Sequence, residues 1–185
     1  MSLSTDLLDA LSPENKIFVA FSGGLDSTAL LFLCNKALKE KKIRNLKAIH
    51  INHNLSKNSD NWQQHCESFC RSNKIEFESF IVEVSKNRSS IESQARQARY
   101  KIFESLLDEN DQILLAHHRD DVFETLLLRL FRGTGVDGLS GLNEKRSLGK
   151  GEIIRPFLNS SKSDLKIYID ENDLCLLYTS DAADE

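Results

Sequence analysis

No apolar run in this chain approaches the ~20 residues that a membrane-spanning helix needs, and no long apolar stretch or basic n-region lies within Met1–Lys16. Neither a membrane span nor a secretory signal is expected, and the cytoplasm is the default compartment. Cysteine is sparse. The four thiols, Cys34, Cys66, Cys70 and Cys175, form no C-x-x-C pair, and a reducing compartment argues against disulfides. An excess of positive charge is missing too. The formal net charge is -4, so there is no whole-chain attraction for nucleic acid, and any RNA contact falls to a local basic patch. Internal repeats and low-complexity tracts are absent. What remains is an ordinary globular composition, 40% hydrophobic and 28% charged over 185 residues, enough for one domain with a sizeable core.

The charge is unevenly spread. Between Arg129 and Lys162 stand seven basic residues against three acidic ones, whereas Asp164–Glu185 carries one basic against seven acidic; without that last stretch the formal charge would be +2. The acidity is concentrated at the end of the chain, where Leu176–Glu185 has neither a helical nor an alternating apolar period.

Strand and helix signals alternate. Ile17–Phe21 is a short continuous apolar run that suits a strand buried on both faces. A helix is expected over Ser27–Lys41, with Leu30, Leu31, Leu33, Cys34 and Leu38 at helical spacing. A strand over Leu46–Ile51, a helix over Ser59–Ser72 and a strand over Ile75–Val84 come next. Then come a long helix over Ser90–Glu109, a strand over Gln112–Ala116 and a leucine-rich helix over Asp121–Arg132. After a glycine-rich loop, Gly133–Gly141, a short strand over Glu152–Arg155 and a last helix over Ser163–Glu171 complete the pattern. This alternation predicts an α/β fold: a parallel five-stranded sheet covered by helices on both faces. Ligands of such sheets bind beyond the carboxyl ends of the strands, so the segments just after each strand are the candidates for chemistry.

The first of these is Ser22-Gly23-Gly24-Leu25-Asp26-Ser27. Glycines allow a tight turn and close backbone approach, and the helix N-terminus that follows suits a phosphate. Asp26 is out of place in a plain anion site unless a Mg²⁺ lies between its carboxylate and the phosphates. On these grounds alone, a capped helix start is an equal reading. No G-x-x-x-x-G-K-[ST] occurs, so this is not a Walker A loop. Ser-Gly-Gly-x-Asp-Ser after a strand resembles the PP-loop of the N-type ATP pyrophosphatase superfamily, whose members cleave ATP between the α and β phosphates, transfer AMP to a substrate oxygen and release pyrophosphate.

Ala116-His117-His118-Arg119-Asp120-Asp121, continuing to Glu124 and Thr125, follows the fourth strand. Two histidines among acids suit a metal site, while an acid-rich first helical turn complementing the helix dipole is the plainer reading. Arg132-Gly133-Thr134-Gly135-Val136-Asp137-Gly138-Leu139 contains a literal G-x-G-x-x-G, but it follows a helix and so is no dinucleotide fingerprint. Ala95-Arg96-Gln97-Ala98-Arg99-Tyr100 sets two arginines on one helical face. Cys66 and Cys70, beside Trp62 and Phe69, read as core. His50-x-x-His53 is a weak metal pair with no clear further ligand.

Together these segments resemble the lysidine synthase family from Ile17 to about Asp173. Its A-H-H-x-D-D-x-x-E-T, R-G-[TS]-G-x-x-G-L, A-R-x-x-R-Y and R-P-[LF]-L stretches are matched, the last by Arg155-Pro156-Phe157-Leu158; Val122 departs from the glutamine often found there. The resemblance implies ATP and Mg²⁺ at Ser22, Gly23, Gly24, Leu25, Asp26 and Ser27, with Asp26 on the metal. It places adenine against Asn52, largely through backbone, and Gly133, Thr134 and Gly135 near the reacting groups. It gives His117 to the nucleotide, Asp121 and Glu124 to free L-lysine, and Arg99, with Arg96, to phosphates or RNA. The implied partner is an isoleucine tRNA with a CAU anticodon, and a homodimer is left open. A catalytic domain is expected over residues 1–173, and 174–185 reads as a tail foreign to the family, either junction sequence or a disordered terminus. The other readings are a tRNA thiolase of the same superfamily, which usually needs reactive cysteines, and a nucleotide-binding fragment without turnover. Synthetases of GMP or NAD lack support because their later motifs are not found.

Overall fold

The computed structural model describes residues 3–82, 91–131, 133 and 142–174. The elements in chain order are α1 (Leu3–Ala10), β1 (Ile17–Ala20), α2 (Leu25–Lys39), β2 (Lys47–Asn52), α3 (Ser59–Asn73), β3 (Glu76–Ile81), α4 (Ile91–Leu106), β4 (Gln112–Leu114), α5 (Arg119–Phe131), β5 (Lys145–Leu148), β6 (Gly151–Ile154) and α6 (Lys162–Glu171). The sheet runs in the order β3-β2-β1-β4-β6-β5. Its first five members are parallel, and β5 joins antiparallel at the edge.

Five parallel strands are thus present as expected, with a sixth in addition. Leu148 pairs with Gly151 across a two-residue turn, and Gly149 sits there at φ +57. Glycine at the first central position of such a turn is the hairpin signature, but β5 alternates weakly and is mostly exposed, so its pattern does not stand out. The sequence reading also passed over α1. Leu3, Leu7, Ala10 and Leu11 recur at helical spacing, and Leu7 and Ala10 are buried in the same core as Leu33 and Ala37 of α2. No described helix is long and apolar enough to cross a membrane.

Strand alternation divides the core in two. Ile17, Val19 and Phe21 join Leu114 and Ile154 in a core containing α1, α2, α3 and α6 residues. Phe18 turns the other way and joins Ile49, Ile113, Leu115 and Ile153 around Phe103 and Leu107. Cys34, Cys66 and Cys70 are fully buried in the first of these cores, as their helical spacing indicated. The chain leaves β1 toward β2 on one side and returns to β4 on the other. Beyond the carboxyl ends of β1 and β4 lies the switch point at which open α/β sheets form a crevice.

Candidate functional site

A cleft of about 600 Å³ opens at that switch point, lined by the segments following β1, β2 and β4 and by residues of α4 and the start of α6. The Ser22–Ser27 loop forms one wall. Gly23 takes φ +84, a left-handed conformation that suits glycine, and this turns the chain from β1 into α2. Gly24 is the N-cap of α2 in extended conformation, with no side chain capping the helix. Its carbonyl accepts hydrogen bonds from the Thr28 amide (3.0 Å), the Thr28 hydroxyl (2.8 Å) and the Ser27 hydroxyl (3.1 Å). Ser22 and Ser27 meet through their hydroxyls at 3.1 Å. The loop is therefore braced from within, and the amides of the first turn of α2 remain for an anion.

Asp26 sits at this mouth. Its Oδ1 is buried and has no hydrogen-bond partner among the described residues, while Oδ2 lies 3.6 Å from His118 Nε2. A buried carboxylate oxygen without a donor is costly. Facing an anion site, it suits a divalent cation that also binds the anion. Among the described residues no group of three or more His, Cys, Asp or Glu side chains is placed to hold a metal.

His118, buried after β4, ties the two loops together. Its Nδ1 lies 3.4 Å from Asp121 Oδ2 and 3.8 Å from Asp120 Oδ2, and its amide donates to Asp121 Oδ2 at 2.8 Å. Burial pulls the imidazole down, but Asp26, Asp121 and Asp120 around it outweigh that and raise its pKa. The sequence offered both histidines only as candidate metal ligands and the family resemblance singled out His117; the i, i+3 spacing of His118 and Asp121 at a helix start was the available signal for this contact.

His117 is the opposite case. Burial foremost, and then the positive charges of Arg155, Arg96 and Arg99, push it down to about 4, so it is neutral across the physiological range. Arg155 lies just beyond β6 and is 2% exposed. Its Nε donates to His117 Nδ1 at 3.2 Å, and its Nη1 donates to the Asn143 carbonyl at 2.7 Å. Close by, the Arg96 and Arg146 guanidinium carbons stand 5.1 and 5.2 Å from the centre of the Tyr100 ring, a cation–π arrangement that gathers charge beside the cleft.

Of the expected site residues, Ser22, Gly24, Leu25, Asp26, Ser27, Asn52, Arg99, His117 and Asp121 line the cleft. Asn52 is already engaged: its amide nitrogen donates to Gln63 (3.0 Å) and Asp60 (3.3 Å), its side-chain oxygen accepts from the Asn54 amide, and its carbonyl accepts from Val82. His50 Nδ1 meets the Phe21 carbonyl at 2.8 Å, bracing β2 against the loop. Glu124 is exposed on α5 and is not part of the cleft lining, whereas Asp121, one turn earlier, is. Gly133 has φ +69 and is also outside the lining. Thr134 and Gly135 lie outside the described residues, as do 175–185. Lys162, at the start of α6, lines the cleft although nothing in its sequence neighbourhood singled it out.

A mostly parallel sheet with a glycine turn, an uncapped helix N-terminus and a carboxylate with one unpartnered oxygen at its switch point defines an α/β domain suited to a phosphorylated ligand. The chain belongs to the PP-loop domain family, whose model matches residues 2–184. Among curated relatives it is 45% identical over 166 residues to the tRNA(Ile)-lysidine synthase of Legionella pneumophila (strain Lens), covering 90% of this chain and 38% of that protein. It is 42% identical over 168 residues to the tRNA(Ile)-lysidine synthase of Coxiella burnetii, covering 90% and 37%. The chain thus spans less than two fifths of the length of these relatives. Among solved structures, the U34-tRNA thiolase NcsA from Methanococcus maripaludis superposes with a TM-score of 0.73 at 20% identity, over 95% of this chain and 64% of that one. The phosphoadenylyl-sulfate reductase of Candida auris does so with 0.59 at 12% identity, over 99% and 85%. These two likenesses speak for the fold alone.

Proposed function

We propose that this chain is the ATP-using catalytic domain of a lysidine-forming ligase. In this reading the C2 oxygen of the wobble cytidine of a CAU-anticodon isoleucine tRNA attacks the α-phosphorus of ATP, and pyrophosphate leaves. The ε-amine of free lysine then attacks C2, AMP departs with the bonding pair, and the amine gives up a proton. The observation that carries the reading is Asp26, whose buried unpaired oxygen stands beside the open amides of α2. The 45% identity to a lysidine synthase over most of this chain directs the choice of substrate.

The chain's own work is positioning and charge neutralisation. The Ser22–Ser27 loop and the first turn of α2 hold the phosphates. Asp26 would hold a Mg²⁺, whose charge would neutralise the phosphates. Arg99 and Lys162, both on the cleft wall, supply further positive charge. Asp121 offers a carboxylate to the cationic lysine, with Glu124 one turn further along α5. Among the described residues the thiols do not favour thiolation: desolvation pushes Cys66 and Cys70 up to about 12 and raises Cys34 as well, and a thiol nucleophile needs the reverse.

The test is incubation with ATP, Mg²⁺, labelled lysine and a CAU-anticodon isoleucine tRNA. Pyrophosphate release with label entering the RNA is expected. Turnover that ignores lysine would point to thiolation chemistry, and absence of pyrophosphate release would leave a nucleotide-binding fragment.

A further inference from the structure

A guanidinium has no acceptor and donates only. Because Arg155 Nε lies 3.2 Å from His117 Nδ1, that nitrogen must be the acceptor, and a neutral His117 ring must carry its proton on Nε2. The arginine is in turn held in place. It is 2% exposed, its Nη1 donates to the Asn143 carbonyl at 2.7 Å, and its own amide donates to the Glu144 carbonyl at 2.8 Å. These contacts anchor it to the segment leading into β5, which forms the edge hairpin with β6. The imidazole at the end of β4 is thus oriented from the neighbouring strand, and Nε2–H is the polar group that His117 has left for the cleft it lines.

We propose that Arg155 is a positioning residue that fixes His117 in the Nε2–H form, so that His117 serves the cleft as a neutral hydrogen-bond donor to a phosphoryl oxygen and not as an acid or base. The ligand class rests on the proposed ATP-using function; the tautomer does not. The groups facing the ring agree with it. Arg96 and Arg99 of α4, Arg155 beyond β6 and the adjacent His118 all disfavour a second proton on His117. A donor that never exchanges its proton suits an oxygen whose negative charge grows during phosphoryl transfer.

The experiment is two-bond ¹H–¹⁵N correlation NMR of the ligand-free chain with ¹⁵N-labelled histidine, with His117 assigned by its loss in His117→Gln. The expected result is a neutral Nε2–H ring that stays unprotonated down to about pH 5, given its value of about 4. In Arg155→Met the ring should populate both tautomers, and its midpoint should move up toward, but stay below, the ordinary ~6.5, because burial, Arg96 and Arg99 still disfavour the second proton. Addition of ATP should shift the Nε2 resonance of the parent. An Nδ1–H ring in the parent, or a folded Arg155→Met with unchanged tautomer and midpoint, would overturn the assignment. The parent spectrum alone decides the tautomer should the variant not fold. A chain that releases no pyrophosphate yet shows the Nε2–H ring would sink only the functional reading.

Discussion

Asp26→Asn separates the chemistry of the site from its stability, because the two effects have different sizes. In the fold, Asp26 Oδ2 stands 3.6 Å from His118 Nε2. At an effective dielectric of ~20 the gross attraction to a protonated ring is ~4–5 kcal/mol, but desolvation returns most of it. Asp121 and Asp120 remain at 3.4 and 3.8 Å to hold the imidazole. The net loss is about 1 kcal/mol, in the range of partly exposed pairs. Against it, the amide removes the charge from a group that has one buried, unpartnered oxygen, and a desolvated polar group of this kind costs ~1–3 kcal/mol. The two nearly cancel, so Tm should stay within about 4 °C of the parent or rise slightly. Transition-state stabilisation has no such compensation. On the proposed metal role of Asp26, losing its charge should lower pyrophosphate release by ~10²–10³-fold, comparable to removing one preorganised electrostatic group. The assay is single-turnover pyrophosphate release at millimolar Mg²⁺, with circular dichroism melts of both proteins. Near-normal release would remove Asp26 from the metal. A fall in Tm of about 10 °C with parallel loss of activity would show that its role is structural.

The depressed His117 value also predicts a pH dependence of stability. Its folded value of about 4 lies below the unfolded value of 6.5, so the unfolded chain takes up a proton that the folded chain refuses. Stability should fall by ~3 kcal/mol as pH drops from 6.5 to 4, and His117→Gln should flatten that part of a urea-denaturation series; an unchanged slope would refute the burial argument. Asp121→Asn and Glu124→Gln should each weaken lysine use in the labelling assay more than ATP binding, and an affinity loss confined to ATP would reverse the assignment. Asp121→Asn should also cost up to ~1 kcal/mol of stability by removing the carboxylate charge beside the His118 ring. Gly151→Ala should destabilise the chain by ~3 kcal/mol in chemical denaturation, because a Cβ there would run into the Asp111 carbonyl and the Leu107 side chain; a neutral result would mean the edge hairpin gives way easily. Cys34, Cys66 and Cys70 should resist alkylation in the folded chain and react in urea, as peptide mass spectrometry can read residue by residue.

Much of the fold was legible in the order of residues because local physics decides it. The continuous apolar run Ile17–Phe21 makes a strand buried on both faces. The Gly23-Gly24 turn needs a positive φ at its first member, and Leu30, Leu31 and Cys34 fall on the buried side of α2. The same logic put Cys66 and Cys70 in the core and set Ser22–Ser27 and His117–Asp121 after strands, at the sheet edge where ligands bind. The short α1 and the exposed β5 were missed because each is stabilised by what it packs or pairs with and has only a weak pattern of its own. Tertiary structure alone decided which polar groups meet. Asp26 and His118 are 92 positions apart in the chain and stand in ion-pair contact because β1 and β4 are neighbours in the sheet. Arg155 reaches His117 because β6 lies beside β4. Adjacency in sequence gives two histidines side by side with the same chemistry. Burial disfavours the charged form of both rings; the sheet order surrounds one with carboxylates that outweigh it and the other with guanidinium groups that add to it, so the two rings have opposite protonation behaviour.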